Sequence, residues 1–222
     1  MFKHVHPYEP FLFEEAEKLI VGTLPPPRFT QRELKPGDVD FCYGSRDGQL
    51  WKILDHIFEL DLVYETTPFA VEQRKAFLKR RKIGICDIVA MADREKIDAS
   101  DLGMQQIQLR DLLGYLERYR KIETLLFTGG NSKNGPEYLF RRLLKTAGLE
   151  LIPVKQEIPR IRKFLLYTSN GKTREIRTVS LIAPSGAANR AVGSIPAYKA
   201  QKSRNPSYTT LDFRAEQYRA FF

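Results

Sequence analysis

Lys18-Leu19-Ile20-Val21-Gly22-Thr23-Leu24-Pro25-Pro26-Pro27 is a short apolar run that ends in glycine and then in three consecutive prolines. It reads as a buried strand that delivers the chain into a rigid loop. From Pro26 to Gly48 the composition turns to Pro, Gly, Asp and Arg, with Phe29, Phe41 and Tyr43 interleaved. A connection of that length carries function more often than it merely joins two elements.

Outward from this strand the chain alternates. Asp47 is placed to cap a helix over residues 48–58, where Leu50, Trp51, Leu54, Ile57 and Phe58 recur at helical spacing. A helix over 71–81 precedes a strand over 82–90, and an amphipathic helix over 105–119 precedes a strand over 124–130. Residues 137–147 read as a helix ended by Gly148, and 179–186 as a fourth apolar strand that meets a loop. Before it, residues 163–168 and 173–178 flank Ser169-Asn170-Gly171-Lys172, an Asn-Gly hairpin signal that would extend the fourth strand. Alternation of this kind predicts an α/β protein, with a mainly parallel sheet, helices on both faces and ligands bound beyond the carboxyl ends of the strands.

The 222 residues are read as a single domain, 1–222. A hydrophobic content of 42% with 11% aromatics argues against disorder, and no apolar run approaches the ~20 residues needed to cross a bilayer. Residues 1–8 lack the apolar segment of a secretory signal, so a cytoplasmic location is expected, or a nuclear one in a eukaryote. Cys42 and Cys86 fall in different expected elements, which excludes an iron–sulfur cluster held by four thiolates and offers no metal set. His4, His6 and His56 show no ligand spacing and are given no role. A net charge of +9 attracts polyanions at long range.

Four segments sit at the expected strand ends: Gly22-Thr23-Leu24-Pro25-Pro26, Asp87 within Ile85-Cys86-Asp87-Ile88-Val89, Thr128-Gly129-Gly130-Asn131, and Pro184-Ser185-Gly186-Ala187-Ala188-Asn189-Arg190. Taken together they resemble the uracil-DNA glycosylase superfamily. The first looks like its opening Gly-x-x-Pro motif and the last like its Pro-Ser loop followed by small residues and Asn. Tyr43-Gly44-Ser45-Arg46-Asp47-Gly48-Gln49-Leu50-Trp51 is similar to the Tyr-Gly-…-Asn-…-Phe-Trp segment of the mismatch-specific and hypoxanthine-DNA glycosylase branches.

The resemblance implies a three-layer α/β/α sandwich around a four-stranded, mainly parallel sheet. It also implies a DNA repair enzyme that extrudes a deaminated base, uracil or hypoxanthine, and hydrolyses its N-glycosidic bond. The expected partner is DNA, bound by a monomer without cofactor, metal or membrane. Gly22, Thr23, Phe41, Tyr43, Asp87 and Asn131 are the candidate base-binding residues, with Phe41 or Tyr43 as the stacking surface. An ionised Asp87 would accept a ring N–H, as uracil and hypoxanthine present. Pro184, Ser185, Gly186, Asn189 and Arg190 would press on the DNA, Ser185 at a phosphate. Gly22 and Gly186 are read as points of close backbone approach. The basic clusters 79–82 and 160–163 are further candidates for phosphates, and the tail over 198–222 is expected to dock a helix over 211–221 and to lend its loop to DNA.

The chain departs from the pattern where water would be activated. Two residues after the first-motif Gly stands Leu24, and Gly48 occupies the Asn slot before the Leu-Trp pair. The adjacent Asp47 is therefore the expected catalytic residue, since a carboxylate can orient water and stabilise positive charge on the sugar. The alternative is a helix cap at Asp47 and a catalytically weak or inactive DNA-binding member of the same fold. Two other enzyme classes lack support: Ser185 has no Gly-x-Ser-x-Gly context, and the Gly22 loop lacks the Gly-Lys-Ser/Thr ending of a P-loop.

Overall fold

Alternate residues of the apolar strands face opposite ways, and that period of two builds two separate cores on one sheet. The computed structural model describes residues 1–169 and 171–222. The chain runs through β1 (Phe2–Val5), β2 (Lys18–Val21), α1 (Pro27–Thr30), α2 (Leu50–Phe58) and α3 (Pro68–Arg80). It continues through β3 (Ile83–Ile85), β4 (Val89–Arg94), β5 (Met104–Leu109), α4 (Leu112–Arg118), β6 (Thr124–Phe127) and α5 (Pro136–Thr146). Then come β7 (Ile152–Lys155), β8 (Arg160–Tyr167), β9 (Thr173–Ser180), α6 (Asn189–Ser194), α7 (Pro196–Arg204) and α8 (Thr210–Arg219).

The main sheet has the order β3-β2-β6-β9-β8-β7. Its first four strands are parallel, with Ile20 in register with Ile85 and Leu126, and Leu126 with Val179. β8 and β7 add to this edge antiparallel, so the hairpin does extend the fourth strand. Asn170 of the hairpin signal lies outside the described residues. Ile20, Ile85, Leu126 and Val179 face α2, α3 and α8, where Trp51, Leu54, Phe77 and Tyr218 are buried. Leu19, Val21, Leu125 and Phe127 face α4 and α5, where Leu112, Leu116, Leu139 and Phe140 are buried. The result is an α/β/α sandwich with a central, mainly parallel sheet, four parallel strands at its heart and six in all.

Three elements depart from the sequence reading. The strand expected over 82–90 breaks at Cys86-Asp87-Ile88: β3 stays in the main sheet, while β4 leaves it for a second sheet of order β1-β4-β5. The break satisfies its own backbone, because Cys86 N–H donates to Ile20 O and Ile88 N–H to Gly22 O, each at 2.9 Å. Residues 105–109, expected as helix, lie in β5, and the helix starts only at Leu112, where the Asp111 side chain accepts from Gly114 N–H. The free edge of β4 offered a ladder that outweighed helical periodicity. The last parallel strand begins at Thr173 and ends at Ser180, which leaves 181–185 outside it, before a 3-10 turn over Gly186–Ala188. In the tail, α8 docks through buried Tyr218, and α7 was not anticipated. No helix of the described residues is long and apolar enough to cross a membrane.

Candidate active site

The carboxyl ends of the four parallel strands open into one cleft of about 430 Å³, within the size range of small-ligand sites. Its wall includes Thr23, Leu24, Pro25 and Pro26 after β2, Asp87 after β3, Thr128 after β6, and Pro184, Ser185 and Gly186 after β9. Tyr43, Ser45, Asp47 and Gly48 enter from the long loop before α2, and Ala99 and Asp101 from the loop before β5. The cleft therefore gathers Thr23, Tyr43, Asp47, Asp87, Pro184, Ser185 and Gly186, residues far apart in sequence.

Asp87, 6% exposed, is the floor. Its Oδ1 accepts from Gly22 N–H and from the Tyr43 hydroxyl, both at 2.9 Å, and its Oδ2 lies 2.9 Å from Nε2 of His6. The Tyr43 hydroxyl also sits 3.0 Å from Oγ1 of Thr128. Burial pushes the Tyr43 phenol well above its usual range, and the Asp87 charge pushes the same way, so Tyr43 stays a neutral donor. Three of the roughly four acceptor positions of the Asp87 carboxylate are thus taken by protein. His6, given no role from the sequence, is one of those partners, 81 residues away.

The long loop is held by a buried carboxylate. Asp38 is fully buried and pairs with both Nε and Nη2 of Arg28 at 2.8 Å, while the backbone N–H groups of Lys35 and Arg46 donate to it at 2.9 and 2.8 Å. Burial acts to raise its pKa, but these donors outweigh burial and hold the carboxyl below the usual range. Gly44 is required here, because a Cβ would lie 1.9 Å from Val39 O. The preceding Tyr43 adopts a left-handed φ of 58°, a conformation uncommon for a bulky residue and one that aims its ring into the cleft.

Asp47 stands at the mouth. Its side chain is 71% exposed and its Oδ2 lies 3.2 Å from Nη2 of Arg28, which also donates to the Ser45 hydroxyl. It does not cap α2: that helix starts at Leu50, after Gln49, with no side-chain cap bond. Backbone pairing accounts for this, since Gly48 bridges to Ser185 and Gln49 N–H donates to Pro184 O at 2.9 Å, so the segment is an extended strut against the opposite loop.

The structure places several of the expected residues outside the cleft wall or without the expected role. Phe41 is 7% exposed and packs between Phe11 and Trp51 in the core, because the turn at Val39–Gly44 points it inward; Tyr43 alone of the two lines the cleft. Asn131 is exposed and lines an open groove along α5 with Tyr138, Arg141, Arg142 and Lys145. Asn189 turns inward: its Oδ1 accepts from Arg214 at 2.8 Å and from the Thr210 hydroxyl at 3.2 Å. Gly186 has open space around its would-be Cβ, so of these two glycines Gly22 alone marks a close approach. Arg190 is exposed, beside the cleft-lining segment but not in its wall. The basic clusters are partly spent on the protein: Arg81 donates to Phe222 O, and Arg160 and Arg162 pair with the buried carboxylate of Glu137.

Several residues of the site escape sequence reasoning. Arg214, fully buried in α8, donates to the carbonyls of Ala183, Ser185 and Thr210 and to the side chains of Gln49 and Asn189. It therefore pins the Pro184–Asn189 loop to α8. Asp101 accepts from the Thr23 hydroxyl at 2.8 Å. Burial pushes its carboxyl up to about 6, against the lowering effect of Thr23 and Arg94. A capping-like local pattern marks neither residue, and apart from the Arg214–Thr210 bond their contacts span tens of positions. Among the described residues there is no cluster of three or more His, Cys, Asp or Glu arranged to hold a metal ion.

The hypoxanthine DNA glycosylase of Methanosarcina acetivorans is 26% identical to the chain over 118 residues, which are 53% of this chain and 66% of that protein, just under two thirds of its length. No family model matches the chain. No solved structure gives a significant match.

Proposed function

We propose that the chain is a monofunctional DNA glycosylase that takes a deaminated base, hypoxanthine first, out of the duplex and hydrolyses its N-glycosidic bond. The observation that carries this reading is the single cleft at the ends of four parallel strands, with Tyr43 and Thr128 hydroxyls on its floor and the Asp47 carboxylate at its mouth. The name of the Methanosarcina relative, a hypoxanthine DNA glycosylase, supports the choice of base.

In this reading the flipped base enters beside Tyr43, whose ring flanks it while its hydroxyl and that of Thr128 offer hydrogen bonds to the edge. Asp87 chiefly orients Tyr43 and the Gly22 amide, because three donors already occupy it. Asp47 positions the attacking water and faces the cationic character that grows on the sugar as the base departs. Arg28 holds Asp47 from the side at 3.2 Å. The loop from Pro184 to Arg190 lies against the DNA, with Ser185 at a phosphate and the exposed Arg190 on the backbone. A net charge of +9 favours that partner. The protein acts as one domain and a monomer inside the cell.

A second reading, a DNA-binding protein of this fold without activity, is favoured by Leu24 in the cleft wall, where a polar group would otherwise handle water. Single-turnover release of base from oligonucleotides that carry deoxyinosine or deoxyuridine, single- and double-stranded, separates the two. Release that Asp47→Ala abolishes while DNA binding persists supports the glycosylase. Salt-dependent DNA binding without release by the wild type supports the second reading and overturns the first.

A further inference from the structure

We propose that Asp101 is the acid of this site and gives its proton to the base as it leaves, held in place by Thr23 and Asn134. The proposal rests on the glycosylase reading of the cleft. Three hydrogen bonds hold Asp101 and its loop in the wall of the cleft. The Thr23 hydroxyl donates to its Oδ1 at 2.8 Å, the Asn134 side-chain amide donates to its backbone O at 3.0 Å, and that same amide reaches Met104 O at 3.1 Å. Arg94 steadies the same loop through Ser100 O at 2.6 Å. Oδ2 of Asp101 receives no hydrogen bond from the described residues, and the residue lines the cleft. A carboxyl group is thus clamped on one oxygen and by its backbone, with the other oxygen free for a ligand.

The groups around it decide its proton. Asp87 on the floor disfavours the charged form, and Asp98 of the same loop and Asp47 elsewhere in the cleft wall carry the same sign. Arg94 from β4 favours the charged form, yet it makes no ion pair with Asp101: its Nε is spent on His4 and its Nη1 on Ser100 O, with Asp98 3.6 Å away. His4 behind Arg94 is pulled down to about 4, chiefly by burial, and stays neutral at working pH. Burial is the largest influence on Asp101, and the outcome is a carboxyl pushed up to about 6. Such a group holds a proton at mildly acidic pH and can release it near neutrality, as a general acid requires.

The C1′–N9 bond of deoxyinosine breaks and its electron pair passes into the purine ring. N7 takes the proton of Asp101, so hypoxanthine leaves as its neutral 7H tautomer. Water forms the new C1′–O bond and gives its proton to the Asp47 carboxylate, and exchange with solvent returns both carboxyls to their starting states.

The test is the pH profile of single-turnover hypoxanthine release between pH 5 and 8, for wild type, Asp101→Asn and Thr23→Val. Duplex binding is measured in parallel on an oligonucleotide with non-cleavable 2′-fluoro-2′-deoxyinosine. The wild-type rate is expected to fall towards tenfold per pH unit above about 6. Asp101→Asn is expected to be about 100-fold slower at pH 5.5, with that limb gone and analogue binding within about threefold of wild type. Thr23→Val loses the hydrogen bond that favours the charged form, so its falling limb moves to higher pH. An active wild type whose limb survives in Asp101→Asn, or stays in place in Thr23→Val, overturns the role of Asp101 alone. A wild type that binds the analogue but releases no base from deoxyinosine overturns the glycosylase reading and this inference with it. If Asp101→Asn does not fold, the Thr23→Val shift decides.

Discussion

A β-carbon on Gly22 would stand 2.2 Å from the Tyr43 hydroxyl and 2.7 Å from Oδ1 of Asp87. Real Cβ atoms do not come that close, so the first loop can pass only as glycine. Gly22→Ala is expected to destabilise the fold by about 1–3 kcal/mol, the usual scale of overpacking, and to abolish base release. Urea denaturation beside a release assay checks both. Tyr43→Phe in the same background should recover only part of the stability, because Asp87 still blocks the methyl group.

Asp47→Asn probes the mouth without disturbing the body. The Asp47 side chain is 71% exposed and its ion pair with Arg28 lies at the surface; such pairs contribute about 0–1 kcal/mol. Stability should change by less than about 0.5 kcal/mol, while base release falls about 100- to 1,000-fold. Equal losses in stability and activity would show Asp47 to be a scaffold residue.

The raised carboxyl of Asp101 makes stability depend on pH in a stated direction. Its ordinary value is near 3.9, and in the fold it stands at about 6. Between those values the native state keeps a proton that the unfolded chain has lost, so this group's contribution declines as pH rises through the window and is level above it. Asp101→Asn removes the decline. Its stability relative to wild type should therefore rise by about 2–3 kcal/mol between pH 4 and pH 7. Urea midpoints at the two pH values measure it, and no change in the difference would count against the buried, protonated carboxyl.

Arg214→Ala should cost about 3–5 kcal/mol, because it leaves the Ala183 and Ser185 carbonyls and the Gln49 and Asn189 amides without their donor. Arg214→Lys should recover little, since an ammonium cannot span the same set of oxygens. Proteolysis of the 183–189 loop, faster in both variants than in wild type, reports the release of that segment.

The parallel half of the fold was legible because its strands are buried on both faces. Leu19-Ile20-Val21 and Leu125-Leu126-Phe127 are continuous apolar runs, bounded by glycine or polar turns, that admit few other readings. The second sheet was not legible. Its strand β5 reads Met-Gln-Gln-Ile-Gln-Leu, a half-exposed edge whose polar residues fit a helix equally well until β4 is beside it. The cleft divides in the same way. Tyr43, Asp47, Asp87 and Ser185 stand in segments with a recognisable order along the chain. Asp101, His6 and Arg214 act through long-range contacts, such as Thr23 to Asp101 across 78 residues, which no local pattern records. Phe41 and Tyr43 illustrate the limit: two aromatics two positions apart, sent to opposite sides by one left-handed residue.

The five hydrogen bonds of Arg214 all end on neutral oxygens, and no carboxylate pairs with it among the described residues. Burial lowers its pKa, yet a guanidinium keeps its proton, so a whole positive charge stays uncompensated behind the loop that carries Pro184 and Ser185. Mobile ions cannot reach it there and screen it far less than they screen surface lysines and arginines. Attraction for an anion at that loop should therefore outlast the loss of the surface field in concentrated salt. The molecule has a basic skin that ionic strength can switch off and, behind this loop, a fixed charge that ionic strength cannot.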